Sequence, residues 1–171
     1  MKISERPLIA TAAIQERIHE LAAQIDKDYK GKHPVLLITL SGAFFFAADL
    51  ARQLHETVQI EFIRAQSYSG TQPGPTVRIT SAPEASMTNR HVILIEDIVD
   101  TGRTATAIIK HLQTQRPASI AVCALLDKPS RRAANSTPDY VGFTIENHFV
   151  VGFGLDYDGL YRQLPAIYVM T

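Results

Sequence analysis

Apolar runs and amphipathic stretches alternate along the chain, and this pattern predicts strands and helices in turn. Apolar residues at positions 14, 18, 21 and 25 recur at spacings of four, three and four, which predicts a helix over positions 11 to 29. Further helices are predicted over 43 to 54 and 105 to 115, and strands over 35 to 40, 58 to 65, 92 to 95 and 119 to 128. Strands that alternate with helices indicate an α/β fold, an open and mostly parallel twisted sheet flanked by helices.

A long polar segment interrupts this alternation. Positions 66 to 91 are rich in Ser, Thr, Gly and Pro, and such a segment inside a compact domain is typical of a lid or a binding loop. The sequence TVRIT within it predicts a short strand, so a mobile hairpin is expected. The chain shows no internal repeat and no linker, and positions 1–171 are predicted to form a single domain.

Composition narrows the class of protein. Lys plus Arg and Asp plus Glu number 17 each, and the net charge of zero argues against a dedicated nucleic-acid binder. The first residues carry charges where a signal peptide needs an apolar block, and no run reaches the length of a transmembrane helix. A cytoplasmic protein with no membrane partner is therefore expected. The consecutive phenylalanines at 44 to 46 and the single Cys123 are interpreted as buried core residues.

Chemistry is concentrated in the stretch VILIEDIVDTGRT, positions 92 to 104. Glu96 and Asp97 follow a predicted buried strand, and ligands of open α/β sheets bind beyond the carboxyl ends of such strands. Neighbouring carboxylates accept hydrogen bonds from a diol such as ribose, or help to hold a divalent cation. The segment Thr101–Thr104 offers backbone N–H groups and hydroxyls at the start of a helix, which suits a phosphate. Asp100 lies between the two sites as a candidate general base.

A simpler interpretation is that these acids only cap the following helix, since Asp and Thr are good N-cap residues. A cap needs one such residue, whereas the stretch holds three acids and a glycine-containing turn. The sequence contains neither a G-x-x-x-x-G-K-[ST] loop nor a complete G-x-G-x-x-G pattern after a strand. Its six histidines lack metal-ligand spacing and are interpreted as ordinary surface or core residues.

The segment IEDIVDTGRT resembles the 5-phosphoribosyl-1-pyrophosphate (PRPP) signature of type I phosphoribosyltransferases, in particular the hypoxanthine(-guanine) phosphoribosyltransferases. The segments LLDKPSRR, YVGFTIENHFVVGFGLDY and YRQLP match that family in order and spacing, so the resemblance runs from about residue 35 onward. It implies the type I phosphoribosyltransferase fold, with a small hood from the N- and C-terminal segments and a mobile loop. It also implies a purine salvage enzyme that converts hypoxanthine or guanine and PRPP into IMP or GMP and pyrophosphate.

The resemblance also implies a role for individual residues. Asp100 becomes the catalytic acid/base group at purine N7. The ribose and 5'-phosphate of PRPP are expected at Glu96, Asp97, Thr101, Gly102, Arg103 and Thr104. The purine is expected at Lys128, Phe149, Val150 and Asp156. Lys128 would donate a hydrogen bond to the 6-oxo oxygen, which adenine lacks. Magnesium is the implied cofactor, with Glu96, Asp97 and Asp156 as its expected ligands.

The loop after the first buried strand departs from the family pattern. The resemblance implies that pyrophosphate contacts Ser41, Gly42 and Arg162, but the family often has Lys or Arg where Ser41 stands. In relatives this loop contains a non-proline cis peptide and contacts pyrophosphate through its backbone. A serine keeps backbone contacts, whereas the missing charge is expected to weaken pyrophosphate or PRPP binding, or to alter subunit contacts.

The polar segment and the assembly also receive an interpretation from the resemblance. Ser67 and Tyr68 match the flexible catalytic loop of the family, which makes positions 66 to 91 the expected lid. Closure of such a lid excludes water, so that PRPP reacts with the base and is not hydrolysed. Because relatives form dimers and tetramers, a homodimer or a homotetramer is expected.

Two alternative functions stay open at the level of the sequence. One is a related transferase that prefers xanthine or guanine, since the choice of base depends on backbone geometry. The other is an RNA-binding regulator built on the same fold, which needs a basic face for RNA phosphates. The zero net charge and the intact set of Lys128, Phe149 and Asp156 argue against the regulator.

Overall fold

The computed structural model describes residues 2–68, 76–133 and 136–171. The helices are α1 (Thr11–Asp28), α2 (Phe44–Gln53) and α3 (Arg103–Gln113). The strands are β1 (Val35–Thr39), β2 (Gln59–Tyr68), β3 (Thr76–Ser81), β4 (His91–Val99), β5 (Ser119–Asp127), β6 (Tyr140–Thr144), β7 (Val150–Val151) and β8 (Tyr168–Val169). One turn of 3₁₀ helix, Pro129–Arg131, follows β5.

In the described residues, β1 to β6 form one sheet in the order β3-β2-β1-β4-β5-β6. β1 pairs in parallel with β2 on one side and with β4 on the other, and β5 and β6 continue the parallel part. Among the pairs of this sheet that the structure describes, only β2–β3 is antiparallel. The prediction of an open, mostly parallel α/β sheet is confirmed. Because the strand order reverses at β1, a crevice opens between the carboxyl ends of β1 and β4.

Each face of the sheet has its own apolar core. All five residues of β1 are buried, and alternate residues of a strand point to opposite faces. Leu36 and Ile38 pack with the apolar stripe of α1 and with α2, whereas Leu37 packs with Ile108 and Leu112 of α3. The predicted helical spacing is confirmed, since the side chains at 14, 18, 21 and 25 are all 0% exposed.

The two ends of the chain pair with each other beside the sheet. β7 and β8 form a small antiparallel sheet. The N-terminal segment lies against the C-terminal one through hydrogen bonds from Ser4 N to Val169 O (2.9 Å) and from Leu8 N to Ile167 O (2.8 Å). These contacts form the hood that the family resemblance implied.

The core interpretation of the three consecutive phenylalanines is correct for only one of them. Phe46 is fully buried, but Phe44 is 48% exposed and Phe45 is 38% exposed. The prediction fails for these two because successive residues of an α-helix point in directions about 100° apart, so three in a row cannot all face one core. The exposed pair begins α2, next to the crevice.

The polar segment at 66 to 91 contains the predicted short strand. β3 pairs antiparallel with the end of β2, and Ser67 lies opposite Val77. Residues 69–75, at the tip of the predicted hairpin, lie outside the described residues. None of the helices in the described parts of the chain combines the length and apolarity needed to cross a membrane.

Candidate active site

A cavity at the crevice gathers the ends of β1 and β4 and the start of α3. It measures about 300 Å³, and we call it the phosphate lobe. Its lining residues are Thr39, Leu40, Gly42, Glu96, Asp97, Ile98, Val99, Asp100, Thr101, Gly102, Thr104, Ala105, Asp156 and Arg162. β4 carries the acids inward because its pairing with β5 continues past the apolar run, to Val99 opposite Asp127. Glu96 and Asp97 therefore belong to the strand itself, not to a loop beyond it.

The start of α3 opens into the phosphate lobe. Gly102 adopts a left-handed conformation (φ 77°), which turns the chain from the acidic segment into the helix. The hydroxyl of Thr101 accepts a long hydrogen bond (3.4 Å) from the N–H of Arg103. N–H groups and the positive end of the helix dipole at such a position favour an anion.

A second cavity of about 440 Å³ adjoins the first, and we call it the aromatic lobe. Its lining residues are Asp97, Ile98, Asp100, Lys128, Arg131, Asn147, His148, Phe149, Val150, Leu155 and Asp156. Phe149 is 48% exposed and meets Tyr157 edge to face, with ring centroids 5.8 Å apart. An exposed ring held in this way offers its free area to a flat ligand. Asp97, Ile98, Asp100 and Asp156 line both lobes, so the two cavities form one site.

Lys128 is the buried cation of the aromatic lobe. Its residue is 5% exposed, and its ammonium donates a hydrogen bond to the backbone oxygen of His148 (2.6 Å). Burial lowers the pKa of Lys128, while the nearby Asp100 carboxylate acts in the opposite direction. An ammonium that donates one hydrogen bond among the described residues can offer further ones to an oxygen acceptor in the lobe.

The adjacent acids of β4 are electrostatically strained. Burial raises the pKa of Glu96 well above its usual value, and the neighbouring Asp97 adds to this increase. Burial also raises the pKa of Asp97, although the backbone N–H of Ile98 donates to this carboxylate (3.0 Å) and opposes the increase. Glu96 Oε1 is buried and has no hydrogen-bond partner among the described residues. Hydroxyl donors or a cation in the cavity would relieve this repulsion.

Arg162 and Asp156 close the far wall of the phosphate lobe. Arg162 Nη2 lies 2.7 Å from Asp156 Oδ1, and its Nη1 donates to the backbone oxygen of Gly154 (2.6 Å). The other oxygen of Asp156 accepts from the N–H of Gly159 (2.8 Å). The guanidinium is thus fixed at the edge of the cavity, where it can meet a second anionic group.

Most of the residues predicted from the sequence line these two lobes, two do not, and the side chains of another two are not described. Ser41 and Arg103 are absent from the lining of both cavities, although their neighbours are present. Ser67 and Tyr68 lie at the end of β2, and their side chains are outside the described part of the structure. The peptide between Leu40 and Ser41 is cis, as the family resemblance implied.

Sequence reasoning missed several residues of the site. Arg131, Asn147 and His148 line the aromatic lobe, and Thr39 and Leu40 line the phosphate lobe. Arg131 was the one with a signal in the sequence, because it stands within the segment LLDKPSRR only three residues after Lys128. The others are neutral or weakly basic residues. They reach the cavities only because of the path that the backbone takes at strand ends and loops, and no spacing rule predicts that path.

Comparisons with known proteins agree with this geometry. A family model described as a phosphoribosyl transferase domain matches residues 8–158. A hypoxanthine-guanine-xanthine phosphoribosyltransferase of Tritrichomonas foetus is 40% identical over 97% of this chain and 91% of its own. A hypoxanthine phosphoribosyltransferase of Escherichia coli is 40% identical over 98% of this chain and 96% of its own. The crystal structure of a hypoxanthine-guanine phosphoribosyltransferase of Bacillus anthracis superimposes with a TM-score of 0.95 at 38% identity, covering 99% of this chain and 100% of that one. This chain therefore belongs to the phosphoribosyltransferase family.

Proposed function

We propose that this protein is a purine salvage enzyme that transfers the 5-phosphoribosyl group from PRPP to hypoxanthine and guanine. The products are IMP or GMP and pyrophosphate. The observation that carries this proposal is the joining of two lobes through shared acids, one suited to a phosphorylated ribose and one to a flat base. The names of relatives about 40% identical over nearly the whole chain support the same activity.

PRPP would occupy the phosphate lobe. Its 5'-phosphate would lie at the start of α3, in the segment Thr101–Thr104, of which Thr101, Gly102 and Thr104 line the cavity. Glu96 and Asp97 would accept hydrogen bonds from the ribose hydroxyls, which suits the unpaired Glu96 oxygen. Arg162 would meet the pyrophosphate, and the backbone of the Ser41–Gly42 loop would meet it from the other side.

The purine would occupy the aromatic lobe. Phe149 would stack on the ring, and the backbone of Val150 would pair with the base edge. Lys128 would donate to the 6-oxo oxygen, and Asp156 would complete the wall beside the base. An amino group at position 6 cannot accept a hydrogen bond from an ammonium, so adenine would be rejected.

The reaction would exchange one bond at C1' of the ribose for another. The bond from C1' to the pyrophosphate oxygen breaks with the electron pair leaving on pyrophosphate, and N9 of the purine forms the new bond from the opposite face. The N7 proton of the purine then passes to the Asp100 carboxylate. Arg162 would stabilise the charge that develops on the leaving pyrophosphate.

Magnesium fits the acids of this site as the proposed cofactor. The described residues contain no cluster of three or more ligands that could hold a metal alone. Magnesium, however, is commonly bound through one or two carboxylates together with substrate phosphates. Glu96, Asp97 and Asp156 supply such carboxylates, and the burial and repulsion of the first two favour a cation beside them. A bound magnesium ion would neutralise charge on PRPP and on the departing pyrophosphate.

We further propose a lid and an assembly for this enzyme. The β2–β3 hairpin, with Ser67 and Tyr68, would close over the reacting groups and exclude water.

The protein would act in the cytoplasm as a homodimer or a homotetramer, with no nucleic-acid or membrane partner. Four exposed apolar side chains support the assembly, and we call them the apolar patch. They are Phe44 and Phe45 at the start of α2 and Ile60 and Phe62 on β2, each 38% to 48% exposed.

A base panel tests the proposed activity. The protein is assayed with PRPP and magnesium against hypoxanthine, guanine, xanthine and adenine, with IMP or other product formation followed by absorbance. We expect turnover of the first two and none of adenine. Xanthine is included because one relative is named for all three 6-oxo bases. Xanthine as the best substrate would favour the xanthine/guanine-preferring alternative, and turnover of no base would contradict the proposal.

The same assay tests the reading of the 6-oxo group by Lys128. Lys128→Ala is expected to raise KM for hypoxanthine about tenfold or more, as loss of a charged hydrogen bond does, with KM for PRPP little changed. The control is Lys27→Ala, which removes an exposed lysine of α1 far from the lobes. An equal loss of affinity for both substrates would count against this role of Lys128.

A further inference from the structure

A second arginine of the aromatic lobe contacts the proposed general base. Arg131 ends the 3₁₀ turn after β5 and extends into the lobe, where its Nε lies 3.0 Å from Asp100 Oδ1. Its Nη1 also donates a long hydrogen bond (3.4 Å) to the side-chain oxygen of Asn147. The guanidinium is therefore placed between the proposed acid/base group and the rim of the purine site.

The contact between Arg131 and Asp100 places the two oxygens of the carboxylate in different environments. Oδ1 is buried and receives no hydrogen bond within the described residues, because the N–H of Arg131 is not aimed at it, so the contact is an ion pair. The Asp100 side chain as a whole is nevertheless 32% exposed, so its exposed area lies on atoms other than Oδ1. One oxygen faces the arginine, and the other is left for a ligand in the cavity.

Backbone hydrogen bonds fix this pairing on both sides of Asp100. The N–H of Lys128 donates to the oxygen of Val99 (3.0 Å), and the N–H of Ala133 donates to the oxygen of Thr101 (3.0 Å). The turn that carries Arg131 is thus attached to the residue before Asp100 and to the residue after it. Arg131 N also closes its own turn onto Lys128 O (3.1 Å). The pair is a product of the fold in this region, unlike a chance contact between two long surface side chains.

We propose that Arg131 is a positioning residue for Asp100, holding Oδ1 so that Oδ2 faces N7 of the bound purine. The inference rests on the proposed function, because it needs a purine in the aromatic lobe. A carboxylate that rotates freely about its side-chain bonds presents the accepting oxygen only part of the time, and misplacement of about 1 Å can cost up to a hundredfold in rate. Arg131 restricts that rotation through its charge and its position, and takes no proton itself.

The experiment compares kcat and KM in a double-mutant cycle. Arg131→Gln is expected to lower kcat about tenfold and to change KM for PRPP less than twofold, because the ion pair acts on the proton transfer and not on the phosphate lobe. Asp100→Asn alone is expected to lower kcat about a hundredfold, as loss of a general base does. Arg131→Gln added to Asp100→Asn is expected to cost less than twofold more, because the group that it positions is already gone.

Two further variants separate positioning from a structural role. Arg131→Lys keeps a cation and is expected to recover kcat to within about threefold of the wild type. Arg52→Gln breaks the Arg52–Asp49 pair on α2, in which the arginine side chain is exposed, and serves as the matched control, with kcat unchanged. The unfolding temperature of Arg131→Gln is expected to stay within about 2 °C of the wild type, since the Arg131 side chain is 46% exposed and ion pairs with a solvent-exposed partner contribute little to stability.

Outcomes for the inference and for the proposed function are distinct. A wild-type enzyme that turns over no purine with PRPP overturns both. An active wild type in which the losses from Arg131→Gln and Asp100→Asn multiply overturns only the positioning role. The same holds if Arg131→Gln matches the wild type in kcat, or if Arg131→Lys is no better than Arg131→Gln.

Discussion

The buried Glu96 is a side chain of the site that lowers the stability of the free fold and is proposed to bind PRPP. It is 3% exposed, lies beside Asp97, and has one oxygen without a partner among the described residues. Burial raises the pKa of Glu96 in the folded chain above its unfolded value. The carboxyl is protonated in both states at a pH below the unfolded value. As the pH rises past that value, the unfolded carboxyl ionises while the folded one keeps its proton, so the free energy of unfolding falls until the pH passes the folded value.

Replacement of this carboxylate should therefore stabilise the free enzyme. Glu96→Gln is expected to raise the unfolding temperature at pH 8 by about 2–4 °C, which corresponds to roughly 1 kcal/mol for a chain of this size. The gain should shrink at pH 5, closer to the unfolded pKa, because the unfolded state has gained less free energy there by releasing its proton. Scanning calorimetry in the absence of PRPP and metal measures both values.

The control for this prediction is Glu84→Gln, which changes an exposed glutamate outside the two lobes. A lower unfolding temperature for Glu96→Gln at pH 8 would show that the carboxylate stabilises the free fold. An equal gain at both pH values would show that packing, and not ionisation, accounts for the change. Either result would contradict the claim that burial and repulsion of the acids on β4 destabilise the free fold.

Among the elements, the loop between β1 and α2 is the part most closely fitted to the acids of β4. A Cβ atom built on Gly42 would overlap the carboxylate of Asp97, and one built on Gly154 would overlap the backbone oxygen of Gly42. The loop, the end of β4 and the segment after β7 thus meet without space for another side chain. Gly42 is required here for close approach and not for an unusual backbone angle.

Gly42→Ala is accordingly expected to displace Asp97 or the loop. KM for PRPP should rise about tenfold or more, since both groups are proposed to hold this substrate, whereas KM for hypoxanthine should change less. Steady-state kinetics with each substrate varied in turn gives the two values. Gly31→Asn is the control, because its site has no atom within 4 Å and asparagine tolerates the left-handed backbone there. An unchanged KM for PRPP in Gly42→Ala would show that this contact does not shape the site.

The elements also show how far the sequence alone could lead. Periodicity predicted α1, α3 and the mostly parallel α/β class of the sheet, because apolar spacing records which face of an element is buried. It ended β4 at Ile95, whereas pairing with β5 continues to Val99, because polar side chains at a sheet end keep the backbone ladder but lose the apolar signal. The acids and the phosphate turn were predictable as a local motif. Arg131 and Phe44 were not, since their environment is created by contacts between distant parts of the chain.

At the scale of the whole molecule, the apolar patch that is proposed to mediate assembly lies next to the proposed pyrophosphate loop. The β1–β2 register places Ile60 beside Leu36 and Phe62 beside Ile38, so both side chains lie on the sheet face that α2 covers only in part. Phe44 begins α2, and its N–H donates to the oxygen of Ser41 (3.3 Å) in the proposed pyrophosphate loop. If a second copy of the chain packed on this patch, only one turn of backbone would therefore separate it from the proposed pyrophosphate loop.

Disruption of the patch should affect both mass and kinetics. The double variant Phe44→Asp, Phe62→Asp is expected to elute as a monomer in size-exclusion chromatography with light scattering, whereas the wild type is expected to elute as a dimer or a tetramer. Two buried charges facing their symmetry mates oppose association strongly. Leu8→Asp, which charges an exposed apolar residue outside the patch, should leave the assembly intact. A monomeric wild type, or a double variant that still assembles, would contradict the proposed interface.

If the monomer forms, KM for PRPP should rise while KM for hypoxanthine stays close to the wild-type value, because the patch adjoins the phosphate lobe and not the aromatic lobe.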